Sequence, residues 1–277
     1  MYGLLKIKNK SIVLAALAFS AMLAAASPAL SDLMIMPIRV VFTDRDRMKA
    51  LTVINNSNER AIFRMKFKDQ RQIESGSYQE LDEPLNPEFD VSKMIVYSPR
   101  QVDLPPQGKQ SIRLSLRRPE NMPDGEYRTH LRMQRMAAPE TEGGRAIRAK
   151  VGINVGFSVP VILRKGVYDA TATISEFKYK PAGTAAEKDK AQAEMYLVRG
   201  GKYSTLGKLE VFWTPPGGEE KKVGELNGVN VFTDVQKRWA RVYINEKNIQ
   251  NGQFRVTFTG IGPDKGILFD EKTFPAG

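Results

Sequence analysis

Between Arg145 and Arg164 polar and apolar residues alternate with a period of two. Ile147, Ala149, Val151, Ile153, Val155, Phe157, Val159, Val161 and Leu163 are apolar, and Arg148, Lys150, Gly152, Asn154, Gly156, Ser158 and Pro160 lie between them. Side chains of a strand point alternately to opposite faces, so this pattern predicts one strand with a single apolar face. Run straight from Ile147 to Leu163 it would measure about 56 Å at roughly 3.3 Å per residue, against about 17–20 Å for an ordinary strand. One small sandwich cannot bury that length, so part of the strand is expected to meet another surface.

The same period recurs in shorter pieces separated by turn residues. In the run from Leu33 to Phe42 it sets Met34, Met36, Ile38, Val40 and Phe42 on one side, with Arg39 pointing away and Pro37 at an edge or a change of sheet. Residues 50–54, 61–67, 95–99 and 109–117 read as further strands. In the strand from Glu126 to Met133, Tyr127, Leu131 and Met133 share one face and Arg128, His130 and Arg132 the other. Residues 70–90 are polar and turn-rich and read as a connection, and 137–144 as a loop. Beyond Lys165 and Gly166 the style repeats in strands at 167–177, 191–198, 208–213, 221–224, 229–232, 238–244, 253–259 and 267–269, with a polar loop at 180–190. Many short strands with almost no helical pattern predict an all-β chain of two immunoglobulin-like β-sandwich domains, 32–165 and 166–277.

Composition changes this picture little. A chain of 277 residues, 42% hydrophobic, can fill two such cores. It has no cysteine, which excludes disulfides and thiolate metal sites. Lys6, Lys8 and Lys10 precede an apolar run from Ile12 to Ala26, and the small residues around Ala29 and Ser31 offer a cleavage site, so residues 1–31 read as a secretory signal peptide. Its removal lowers the formal charge from +11 to +8 by the loss of those three lysines. No later segment is apolar enough to cross a bilayer, so no stable membrane insertion is expected after cleavage. The remaining basic residues are spread over most segments and form no block, and no nucleic-acid partner is expected.

Catalytic and cofactor readings find little. His130, the single histidine, sits between Arg128 and Arg132 on a strand face and reads as a solvated residue without a triad around it. Gly143-Gly144, Gly200-Gly201 and the run from Gly260 to Gly266 lack the strand-loop-helix setting of a phosphate loop and read as turns. Asp82, Glu83 and Glu88 lack calcium-loop spacing. No enzyme activity, metal or cofactor is expected.

Several segments in their order and spacing resemble the periplasmic pilus chaperones of the chaperone-usher pathway, the PapD-like family. They are Arg39 with Phe42 three residues on, LTVINNSNERA from Leu51, SPRQVDLPPQGKQSIRL from Ser98, GEYR from Gly125 and SVPVILR at the end of the long strand. The resemblance implies two immunoglobulin-like domains set as an L and a periplasmic location. It implies a function too: incomplete pilus or fimbrial subunits held by donor-strand complementation and delivered to an outer-membrane usher, a mode of β-augmentation. It places Val151, Ile153 and Val155 at the positions inserted into the subunit, with Ile147 and Ala149 extending the contact. It assigns Arg39 to the subunit's terminal carboxylate, and Glu126 and Arg164 to an interdomain ionic cluster whose third, acidic member is not found at Gln250 or Asn251. Pro160 stands where the family usually carries a lysine, so either another cation substitutes or the docking register differs. Self-association of the unliganded chain to cover its apolar edge stays open, as do two other readings: an envelope adhesin or scaffold with no folding client, and a binder of anionic polysaccharide.

Overall fold

A computed structural model describes residues 33–136, 156–183, 190–246 and 249–276. The expected signal peptide and the segment from Ile147 to Val155 lie outside the described residues. The described chain is all-β, in two immunoglobulin-like sandwiches with separate cores, one drawn from Leu33 to Leu163 and the other from Ala172 to Ala276.

The first strand is divided between the two sheets of its sandwich. Leu33–Met36 (β1) pairs antiparallel with Met48–Asn55 (β3), the chain then crosses over at the cis Met36–Pro37 peptide, and Val40–Phe42 (β2) joins the opposite sheet. Crossing resets the alternation. Leu33 and Ile35 turn inward while Met34, Met36 and Ile38 are exposed, and only from Val40 do the even positions face the core. The single apolar side expected from Met34 to Phe42 is therefore two half-strands of opposite parity, with the crossing at Pro37.

Around this split strand run Ala61–Phe67 (β4), Gln70–Gln72 (β5), Tyr78–Glu80 (β6), the helical turn Val91–Met94 (α1), Ile95–Ser98 (β7), Gln101–Leu104 (β8), Lys109–Leu116 (β9), Gly125–Arg135 (β10) and Gly156–Lys165 (β11). One sheet has the order β1-β3-β9-β7 and the other β2-β11-β10-β4-β8. Their inner faces interlock through Phe42, Leu51, Phe63, Ile112, Leu114, Leu131 and Leu163. Asp90 caps α1 by accepting from Ser92 N at 2.9 Å.

The second sandwich sets Thr171–Lys180 (β12), Gln192–Gly200 (β13) and Lys237–Tyr243 (β16) against Lys221–Val231 (β15), Thr205–Thr214 (β14), Gln253–Gly260 (β17) and Leu268–Pro275 (β18). The two strands read from the sequence at 221–224 and 229–232 are the single strand β15. A register shift against β14 at Gly207/Leu209 absorbs one extra residue between them, another at Val211/Phe212 absorbs one within the first run, and Gly228 supplies a left-handed φ of 72°.

Residues 70–80 are not a plain connection. β5 and β6 form a hairpin that the first domain lays on the second. Gln72, almost fully buried, donates through its backbone N to Asp234 and through Nε2 to Asn230 O at 3.3 Å, and accepts from Phe232 N at 2.9 Å. Trp239 N donates to Glu74 O at 2.7 Å, tying the hairpin to the edge strand β16. Phe232 is the apolar plug of this joint: fully buried, it clusters with Val41 and Ile162 of the first domain, and the Arg128 guanidinium lies 3.8 Å from its ring centre.

Removing this ring should cost about 3–5 kcal/mol, the usual range for a buried Phe→Ala change. Both tryptophans, Trp213 and Trp239, lie in the second domain, so their emission reports that domain while far-UV circular dichroism reports both. In Phe232→Ala the two urea transitions should separate and the midpoint should fall; coincident transitions at the wild-type midpoint would contradict the plug.

Candidate functional site

The geometry around β11 decides what the first domain can offer. On one side β11 pairs in unbroken register with β10, from Gly156 opposite Gln134 to Lys165 opposite Gly125. On the other, β2 covers only Val161, Ile162 and Leu163. Among the described residues no strand pairs with that side from Gly156 to Pro160. His130 O accepts from Lys68 N at 2.9 Å, so the backbone groups of His130 point away from β11. The facing pair His130–Pro160 is then a non-hydrogen-bonded one, and the missing N–H of Pro160 falls on the open side. A proline is tolerated there because the edge asks it for no donor. By the same alternation Ser158 and Gly156 turn both N–H and C=O toward the open edge. Odd positions face inward: Val159, Val161 and Leu163 are in the core and Phe157 packs against it.

Of the residues expected to contact a subunit, Ile147, Ala149, Val151, Ile153 and Val155 lie outside the described residues. They continue, in sequence, the parity of Phe157 and Val159.

Arg39 lies where β2 enters its sheet, and alternation with Val40 turns its side chain away from the core, toward the second domain. Only 3% exposed, it donates from Nη1 to Thr205 O at 3.3 Å and to Asn230 Oδ1 at 3.2 Å, and from Nη2 to Ser204 Oγ. Its Nε has no hydrogen-bond partner among the described residues. Burial pushes its pKa down to about 10, against the opposing pull of Glu126 and Asp264, and it stays a cation at neutral pH.

Glu126 and Arg164 face one another across the β10–β11 register and form an ion pair at 3.0 Å. The third member is Asp264, 2.8 Å from Arg164 and nearly fully buried. It sits in the 3-10 turn Gly262–Asp264, inside the glycine run that reads as a simple turn, and lies well away from Gln250 and Asn251. Asp264 Oδ2 also accepts from Leu206 N at 2.8 Å, Glu126 Oε2 from Ser204 N at 3.1 Å, and Arg164 Nη2 donates to Ser204 O at 2.8 Å. Burial alone would raise the Glu126 carboxyl, but Arg39 and Arg164 hold it below the usual carboxylate value. A second pair, buried Arg128 with partly buried Asp234 at 3.0 Å, joins the domains nearby.

A cleft cavity of about 300 Å³ opens beside these pairs, lined by Ile38, Arg39, Gln70, Tyr78, His130, Ser158, Pro160, Leu206 and Asn230. His130 is not solvated, as its place between two arginines had suggested. It is 2% exposed, because the face opposite the core is roofed by Tyr78 of the hairpin and Phe232 of the second domain, with ring centres 5.9 and 6.4 Å from its own. Burial, aided by Arg128, pushes its pKa down to about 3, so the imidazole is neutral. Arg39 is the one cation among the named lining residues, and none of the others supplies a second charge where a lysine would stand at Pro160. Among the described residues no group of His, Asp and Glu could hold a metal, and no helix is long and apolar enough to cross a membrane.

No protein-family model matches the chain, and no curated protein matches it. Among solved structures it is similar to the class 5 fimbriae chaperone CfaA, at 14% identity and a TM-score of 0.43 over 88% of this chain and 99% of that one. A chain of the CsuC–CsuE chaperone–tip adhesion subunit pre-assembly complex from archaic Csu pili of Acinetobacter baumannii aligns at 13% identity and TM-score 0.43, over 88% and 97%. A chain of the Salmonella enterica SafA pilin–SafB chaperone complex aligns at 12% identity and TM-score 0.43, over 90% and 98%. Likeness at this level assigns neither a family nor a function.

The buried imidazole has a measurable consequence. Its folded pKa near 3 lies below the ordinary 6.5, so as pH falls below 6.5 the unfolded chain takes up a proton that the folded chain refuses, and stability drops. The slope approaches about 1.4 kcal/mol per pH unit. Between roughly pH 6.5 and 5, above the ordinary carboxylate range, the single histidine should account for it. Urea titrations should show the fall in the wild type and its loss in His130→Phe; a flat wild-type profile would contradict the buried neutral state.

Proposed function

We propose that the chain is a periplasmic chaperone of pilus or fimbrial assembly that lends a strand to β-subunits unable to complete their own fold, and passes them to an outer-membrane usher. The observation that carries this reading is the half-open edge of β11. On the side away from β10 no described strand pairs with it from Gly156 to Pro160, and the sequence leading into it keeps alternating apolar residues through Ile147, Ala149, Val151, Ile153 and Val155.

An exposed edge of this kind is a template for another chain, and proteins generally cover or charge such edges. Here a client's open edge would take its backbone bonds from β11, while the apolar side chains before it fill the client's groove. Each buried Val or Ile contributes roughly 1.5–3 kcal/mol, so three or four suffice for a lasting complex after the costs of ordering. Arg39 and the cleft cavity lie beside the same edge and receive the adjoining part of the client. Glu126, Arg164 and Asp264 fix the angle between the domains. The segments that resemble PapD-like chaperones fall on β2, β10 and β11, which build this edge, on β8 of the same sheet, and on β3 and β9 of the opposite sheet.

Co-expression with candidate secreted β-subunits, followed by affinity capture from the periplasm, tests the proposal. Ile153→Asp should lower client recovery at least about tenfold, equivalent to roughly 1.4 kcal/mol or more, with the melting temperature unchanged. Recovery at the wild-type level would refute it. Loss of the folded first domain in Ile153→Asp would instead favour the scaffold reading, in which these side chains belong to the domain's own core.

A further inference from the structure

The first domain leaves part of β11 unpaired, and the second domain treats one of its own edges differently. β12 is an outer strand of its sheet, bonded only to β13, and β18 is an outer strand of the facing sheet, bonded only to β17. Ile174 stands opposite Leu197 of β13, yet both of its backbone groups turn the other way. Its N–H donates to Asp270 Oδ2 at 2.7 Å, and its carbonyl accepts from Lys272 Nζ at 2.7 Å. The Ile174–Leu197 pair is therefore a non-hydrogen-bonded one. Two side chains of β18 make the bonds that a further strand would make at this point.

Both charges start from an unusual place. In the β17–β18 register Asp270 faces Phe258 and Lys272 faces Val256, and both of those partners are fully buried. Directly opposed residues share one face of a sheet, so Asp270 and Lys272 leave β18 on its core side, where Phe274 continues the alternation and packs against the core. They reach across the border of the sandwich to β12 and lie 3.9 Å from each other. Charges turned inward on an outer strand are one way of denying that strand a neighbour; here the same two charges also occupy the backbone of the strand across the border. Further along, β12 bulges between Ser175 and Lys178, Glu176 takes a left-handed φ of 52°, and Phe177 stacks on Phe274 with ring centres 4.5 Å apart. The bulge breaks the straight ladder that an incoming strand would need.

We infer that Asp270 and Lys272 together stand in for a neighbouring strand on β12 and bar a second copy of this chain from pairing there. The seal acts whatever client β11 takes, and it removes a competing edge from a protein that keeps another one open.

The test uses the full mature chain and amide exchange at Ile174, a readout that association through any other edge would not reproduce. In the wild type this amide should exchange slowly and independently of protein concentration. In Asp270→Ala/Lys272→Ala it should exchange at least about tenfold faster in dilute solution, as expected for the loss of a charge-assisted bond. Protection should return as concentration rises and sedimentation shows dimers or larger species. Asp270→Asn/Lys272→Arg retains an acceptor and a donor and should behave as the wild type. Emission from Trp213 and Trp239 verifies that the second domain is folded in each variant. Should the alanine pair unfold it, Lys272→Ala alone, which bares only the carbonyl of Ile174, repeats the association measurement. Fast exchange at Ile174 in the wild type would overturn the inference with no variant needed. A folded alanine variant with wild-type mass and exchange, or an Asn/Arg variant that associates as the alanine one does, would overturn it as well.

Discussion

The short parallel pairing of β2 with β11 is the contact on which the rest of the first domain's behaviour depends. Three residues, Val40 to Phe42, close the edge of β11 beside Val161 to Leu163 and no further. That brevity follows from the split first strand: the chain spends Leu33 to Met36 in the opposite sheet and reaches its second partner only after crossing at Pro37. Had β2 continued antiparallel and full-length, β11 would be an ordinary interior strand. As built, one half of β11 is a finished part of a sandwich and the other half an offer of hydrogen bonds. The same pairing carries Arg39 to the domain boundary, so edge and cleft share one origin.

The joint between the domains combines buried ion pairs with the apolar plug of Phe232. Buried ion pairs such as Arg164 with Glu126 and Asp264 contribute little net stability once desolvation is counted, but they tolerate few geometries. Their directional demands are extended by backbone groups: Ser204 and Leu206 donate to the same carboxylates that hold Arg164. Hydrophobic burial of Phe232 supplies adhesion, and the ionic network supplies orientation. Under the proposed function, a client taking strand and cleft together would meet a joint that is set rather than hinged.

The sequence made the strands legible wherever one face is apolar. β4, β9 and β10 follow their alternation closely; in the second domain two short runs fuse into β15, β12 starts at Thr171 instead of 167, and β18 runs on to Pro275 instead of ending at 269. What it hid was structure held by polar atoms. The β5–β6 hairpin contains no apolar alternation, because its buried residue is Gln72, stabilised by three hydrogen bonds to the other domain. His130 looked solvated because a strand face without apolar residues ordinarily meets water; here a second domain covers it, which no local pattern records. Asp264 was hidden by distance in sequence, 100 residues from Arg164, in a glycine-rich turn whose charge appears incidental until the fold brings it in. Glu126 and Arg164 are linked in the sequence only through the resemblance; the fold sets them opposite one another on adjacent strands.

The account stands or falls on which edge a client uses. Hydrogen–deuterium exchange of the chain with and without a bound β-subunit addresses this directly, since backbone bonds formed across an edge slow exchange where they form. The proposed strand donation predicts new protection over residues 147–158, with the amides of Gly156 and Ser158 among the most affected, and little change in β1, β3, β7 and β9. Protection confined to those strands of the opposite sheet, with Gly156 and Ser158 still exchanging as in the free protein, would contradict it.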